Sequence, residues 1–221
     1  MNAKEKAPHI FMALHKEFPN AHCELIHKNA FELLIATVLS AQTTDVNVNK
    51  ATPALFKAYP DAKALSQAPI EKVEVLVHST GFYKTKAKNI VSAATQIMEL
   101  YQGEIPKTIE ELTLLSGVGR KTANVVLGNA FNINYGVVVD THVKRISSLL
   151  GLSKHDDVLK IEQDLMKLFD REQWTLLSHL FIFLGRRICI ARRPQCEICP
   201  LQEYCSFKLK KTKAPKSKKA K

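Results

Sequence analysis

One lysine stands where an α-helix ordinarily has no use for it. In LLSGVGRKTANVVLGNA, residues 114–130, Gly117 and Gly119 flank Val118, and Arg120 and Lys121 fall at the start of an apolar helical run. A helix N-terminus carries about half a positive elementary charge, so a cation there is disfavoured and an anion is welcome. The two glycines can adopt positive φ and have no Cβ, which lets the N–H groups of the turn approach a ligand closely. Together with the free N–H groups of the next helix they form a site suited to phosphate, although two helices meeting at a compact corner would use the same glycines. On these residues alone Lys121 has two readings. It neutralises a phosphate as a point charge, or it is a nucleophile. The second needs its proton made easier to lose than the reference value near 10.4 allows, and the helix N-terminus and Arg120 would supply positive potential for that.

Two further groups have chemistry in them. Asp140 follows three valines in YGVVVDTHVKRISSLLG and precedes an amphipathic helix. An aspartate there is an N-cap, and an N-capping carboxylate is fixed in orientation. Near the C-terminus, Cys189, Cys196, Cys199 and Cys205 lie within CIARRPQCEICPLQEYC, spaced Cys-x6-Cys-x2-Cys-x5-Cys. Four soft thiolates so close together signal a metal. Zinc is the default for such a set, and spacing alone does not exclude it. Structural zinc usually takes its ligands from two short knuckles, however, whereas here one pair is six residues apart and a single loop wraps the site. Cys23 is remote from the group and reads as an ordinary buried thiol. Arg192 and Arg193 between the cysteines, with Arg186 and Arg187 before them, read as a phosphate-contacting surface on a loop ordered by metal.

The segment around GVGRKTANVV resembles the helix-hairpin-helix of the DNA base-excision repair glycosylases, and of the endonuclease III family in particular. Ser116 departs from that pattern, where proline is frequent before the first glycine. The resemblance implies that Gly117, Val118, Gly119 and Arg120 grip the DNA backbone and that Lys121 is the nucleophile. VDTHV is similar to the segment that supplies the catalytic aspartate, so Asp140 would activate the amine and stabilise positive charge developing on the sugar. The cysteine spacing is similar to the family's loop for a [4Fe-4S] cluster, here in a structural role. LSAQTTDVNVNKA and STGFYKTKAKNI are similar to loops that enter the duplex from opposite sides, which gives Gln42 and Phe82 the task of filling the space left by an extruded base. Leucine is commoner at the position of Phe82. The activity implied is a bifunctional glycosylase and lyase that removes oxidised pyrimidines from duplex DNA and cleaves the strand by β-elimination. A monomer acting on double-stranded damaged DNA is expected.

The elements that must position these groups are helical. Apolar spacing with start and stop signals predicts about ten helices: 8–18, 29–40, 45–59 with a break at Pro53, 69–78, 84–102, 108–115, 120–131, 140–150, 156–169 and 172–190. Only residues 135–140 look strand-like, and they are too short and isolated to build a sheet. The fold class is therefore all-α. The family's architecture implies two helical lobes with a DNA groove between them. A six-helix barrel-like lobe of residues 22–134 would hold the hairpin, and a discontinuous lobe of residues 1–21 and 135–207 would hold the cluster.

Composition agrees with a polyanionic partner. The 221 residues carry a formal net charge of +11 with 46% apolar content, enough to bury one or two cores. Eight of those charges are lysines in KLKKTKAPKSKKAK, residues 208–221, leaving +3 for the remainder. That tail has almost no apolar residue and is expected to be disordered. The polar N-terminus lacks the pattern of a secretory signal and no stretch is long and apolar enough to span a membrane, so a cytoplasmic, chromosome-associated protein is expected.

Overall fold

The computed structural model describes residues 1–207, and the expectation for the lysine-rich tail lies outside the described residues. Eleven α-helices form among them: α1 (Ala3–Glu17), α2 (Ala30–Leu39), α3 (Asp45–Ala58), α4 (Ala62–Ser66), α5 (Ile70–Val77), α6 (Tyr83–Tyr101), α7 (Ile109–Leu114), α8 (Arg120–Phe131), α9 (Thr141–Leu149), α10 (Val158–Leu168) and α11 (Trp174–Arg187). No described helix is long and apolar enough to cross a membrane.

The all-α class holds, with local corrections. Helix α1 starts at Ala3 rather than Pro8, because Asn2 and Glu5 form a reciprocal capping box that fixes the earlier start,. Pro53 lies inside α3 without ending it. A proline in mid-helix forfeits one hydrogen bond, and the burial of Val48, Ala51, Thr52 and Leu55 around it holds the helix together. The short α4 went unpredicted; Asp61 caps it by accepting from the Ala64 N–H at 2.7 Å. Residues 135–140 form no strand, and the Val138 N–H is taken instead by Ser178 Oγ at 2.9 Å.

The buried apolar side chains gather into two clusters. One is built on α2 to α8, with Leu33, Leu34, Leu39, Ile90, Ile97, Val126 and Leu127 among its members. The other joins α1 to α9, α10, α11 and the C-terminal loop through Ile10, Leu14, Ile146, Leu165, Phe181 and Leu201. Helices α8 and α11 meet where the two clusters adjoin, and Gly128 permits their approach. A Cβ there would lie 2.4 Å from Thr175 Oγ1.

Candidate active site and metal centre

The hairpin is α7, a turn through residues 115–119, and α8. Gly117 takes φ +76° with its backbone pressed on Asn89, whose Cβ would be 2.9 Å from any added Cβ. Gly119 does not use its left-handed freedom. It has φ −93° and faces open space. Its value is accessibility, since it is the N-cap of α8 and gives no side-chain cap to the first N–H groups of that helix. Val118 between them is buried and anchors the turn. Ser116 braces it: its N–H donates to Gln96 Oε1 at 2.7 Å, Gln96 Nε2 donates to the Leu114 carbonyl at 3.2 Å, and the Ser116 and Ser92 hydroxyls are 2.7 Å apart. A proline at 116 could not make the first of these bonds.

Arg120 behaves differently from the expectation. On a side chain that is 39% exposed, its guanidinium is paired and does not stand as a bare charge beside Lys121. Nε and Nη2 donate to the Glu162 carboxylate at 2.8 and 3.0 Å, and the group stacks over Tyr135. Glu162 lies 42 residues away in sequence on α10, which is why local reading missed it. Lys121, one residue on, is exposed and has no ion-pair partner among the described residues.

Asp140 is the N-cap of α9. Its Oδ1 accepts from the His142 and Val143 N–H groups, both at 2.8 Å. Lys121, Asp140 and Gln42 line one cleft of about 1080 Å³. A deeper cavity of about 90 Å³ also borders Lys121 and Asp140 and runs back to His179, Asn129 and Cys23. Burial pushes the His179 imidazole down to about 4, with His22 contributing, so it is neutral and hydrogen-bonded to Asn129 Oδ1 at 2.7 Å. Burial also lowers His142, whose Nδ1 has no partner. Asp45 and His179 are cleft or cavity residues for which the sequence offered no local pattern, and Arg186, read from the sequence as part of a phosphate surface, lines the cleft instead.

Gln42 and Phe82 share an unusual backbone. Both are exposed and both occupy the left-handed region, at φ 55° and 49°. The other two non-glycine residues with positive φ in the described chain, Gln102 and Asn132, are helix C-caps. A left-handed residue costs about 1–2 kcal/mol, and such strain gathers at functional sites. Phe82 is not among the residues lining the cleft.

Of the four arginines near the cysteines, two are committed internally. Arg186 Nη1 pairs with Glu24 and, at 2.7 Å, with Asp45. Arg187 lies 3.8 Å over the Phe183 ring and reaches Glu24 at 3.3 Å. Arg192 and Arg193 are exposed without ion-pair partners among the described residues.

Cys189, Cys196, Cys199 and Cys205 surround one cavity of about 400 Å³. Four thiolates around one cavity, with no His, Asp or carbonyl ligand required, are the donor set that an iron-sulfur cluster takes,. Burial raises the Cys189, Cys196 and Cys199 thiols, and the neighbouring thiols add to the rise. Such ligands ionise together only with a cationic centre among them. Arg145 Nη2 donates to the Cys189 carbonyl at 2.5 Å and Lys6 Nζ to that of Tyr204 at 3.2 Å, which ties the loop to α9 and α1.

The helical fold, the hairpin and the thiolate loop together define a class of DNA repair protein. Residues 35–171 match the HhH-GPD superfamily base excision DNA repair proteins, and residues 189–205 match the iron-sulfur binding domain of endonuclease III. The chain is 51% identical to endonuclease III of Synechocystis sp. over 91% of this chain and 92% of that one. It is 38% identical to endonuclease III of Escherichia coli K12 over 94% and 98%. A solved non-covalent endonuclease III–DNA complex has a TM-score of 0.89 and 45% identity, covering 93% of this chain and 96% of the other. The chain belongs to the endonuclease III family of DNA glycosylases/AP lyases, and its cofactor is a [4Fe-4S] cluster held by the C-terminal loop.

Proposed function

We propose that the protein removes oxidised pyrimidines from double-stranded DNA and then cleaves the strand through a Schiff base on Lys121. The observation that supports this most directly is the placing of Lys121 and Asp140, carried by different helices, on the walls of one cleft. The free oxygen of Asp140, Oδ2, receives the proton of the Lys121 ammonium. The neutral amine attacks C1′, the bond from C1′ to the base breaks, and the base leaves with its electron pair and takes up a proton. Ring opening gives the protonated Schiff base. Loss of a C2′ proton then breaks the bond from C3′ to oxygen, and water frees the enzyme. The Asp140 carboxylate stabilises positive charge on the sugar through these steps.

The two apolar clusters correspond on this reading to lobes of residues 22–134 and of 1–21 with 135–207, with DNA between them. The uncapped N-terminus of α8 and the Gly117–Gly119 turn take a backbone phosphate, and Arg192 and Arg193 add a second contact. Gln42 and Phe82, held left-handed and exposed, enter the stack while the base occupies the deeper cavity. The four cysteines hold the cluster, which orders the loop presenting the two arginines. Borohydride trapping tests the lyase reading. An abasic duplex is expected to yield a covalent adduct with the natural protein and none with Lys121→Gln, and absence of an adduct with the natural protein rejects it.

A further inference from the structure

We infer that Glu162 is a positioning residue for the reaction, its buried carboxylate holding together the segments that present Lys121 and Asp140. The inference rests on the roles proposed for those two residues. Glu162 belongs to α10, and its side chain is only 5% exposed. One oxygen, Oε2, accepts from Arg120 Nε at 2.8 Å; the other, Oε1, accepts from Arg120 Nη2 at 3.0 Å and from Asn124 Nδ2 at 3.1 Å. Both donors are on α8, one turn apart, and Arg120 adjoins Lys121. The same carboxylate is packed on the chain leading to Asp140. A Cβ at Gly136 would lie 1.9 Å from Glu162 Oε1 and 3.0 Å from Asn124 Nδ2, so that segment runs directly over the ion pair.

Stability alone is a poor reason for this arrangement. A carboxylate withdrawn from water gives up hydration that pairing repays only in part, and apolar replacements of buried pairs are often neutral. Asn124 bears a cost as well, since turning its nitrogen to Glu162 leaves its buried Oδ1 without a partner. What the network gains is geometry. It joins α8, of the first apolar cluster, to α10, of the second, beside the two reacting side chains. It also draws the Arg120 cation off the end of α8, leaving Lys121 as the exposed cation there.

Displacing a reacting group by about 1 Å costs on the order of a hundredfold in rate. Glu162→Gln is therefore expected to slow single-turnover cleavage of an abasic duplex by about 10²-fold, with affinity for a duplex bearing a non-cleavable abasic analogue changed less than about threefold. Gly136→Ala, which drives a methyl group into the same carboxylate, should slow the reaction similarly. Its effect should shrink when combined with Glu162→Ala, which makes room for the methyl group. A merely structural residue would lower thermal stability and active fraction and leave the single-turnover rate of the folded molecules unchanged, and that outcome overturns the inference. Additive Gly136→Ala and Glu162→Ala effects overturn it too. A natural protein that forms no borohydride adduct rejects the lyase reading and this inference with it, whereas normal trapping kinetics in Glu162→Gln reject the inference alone.

Discussion

Asp140 has two duties that a pair of substitutions separates. Its Oδ1 satisfies two N–H groups at the start of α9, each at 2.8 Å, and its Oδ2 is available to the cleft. Asparagine caps helices about as well as aspartate, and alanine does not cap at all. Asp140→Ala should therefore lose about 1–2 kcal/mol of stability, or roughly 2–8 °C in Tm for a chain of this size. Asp140→Asn keeps the oxygen acceptor and forfeits only the attraction of its charge to the helix dipole, about 0.3–1 kcal/mol. Both lack a carboxylate to take the Lys121 proton, and both should lose about 10²–10⁴-fold in single-turnover cleavage. The assay is thermal unfolding with the cluster intact, beside abasic-duplex cleavage on the same preparations. The asparagine variant should be nearly as stable as the natural protein and nearly as inactive as the alanine variant. An active Asp140→Asn protein would refute the carboxylate's chemical role, and one as unstable as Asp140→Ala would refute the cap.

His179 should give the protein an acid limit. Its imidazole is held at about 4 by burial, against 6.5 unperturbed. The unfolded chain therefore binds a proton first as pH falls, and stability that is complete above pH 6.5 is lost by about 3 kcal/mol on descending to pH 4. In urea unfolding, the stability advantage of the natural protein over His179→Gln should shrink by about 2 kcal/mol between pH 7.5 and 5; parallel pH dependences would contradict a neutral buried His179. For the cofactor, Cys199→Ser should lower iron well below about four atoms per chain and weaken binding to undamaged DNA. Its helical circular dichroism should stay close to normal, because the cysteine loop contributes only two short 3-10 turns. Stoichiometric zinc in the natural protein would overturn the cluster.

Local grammar carried far. Helix limits followed from caps such as Asn29, Thr108 and Asp140, each of which accepts a backbone N–H in its own first turn. The thiolate loop was legible because all its ligands lie within seventeen residues. Several of the failures share one cause, which is compensation from a distance. Pro53 looked like a break because the sequence shows the lost hydrogen bond and not the packing that tolerates it. Ser116 stood out only as a departure from proline because Gln96, which braces it, sits on another helix. Arg186 and Arg187 looked like part of a phosphate surface because their partners, Glu24 and Asp45, are more than 140 residues away.

The same cause resolves why two cations begin α8. Each would oppose the helix dipole by about 0.3–1 kcal/mol, and the sequence suggested that the first assists the second. The structure divides them instead. Glu162 takes the charge of Arg120, while Lys121 keeps the exposed position at an N-terminus that no side chain caps. Positive potential there then comes from the free N–H groups and from Lys121 itself, which is the condition under which an anionic backbone is drawn in. If that division holds, Arg120→Ala should disturb cleavage through the stranded Glu162 carboxylate more than it weakens phosphate binding. A salt dependence of DNA affinity unchanged from the natural protein would mark Arg120 as a structural cation, and a slope reduced by about one unit would return it to the phosphate contacts.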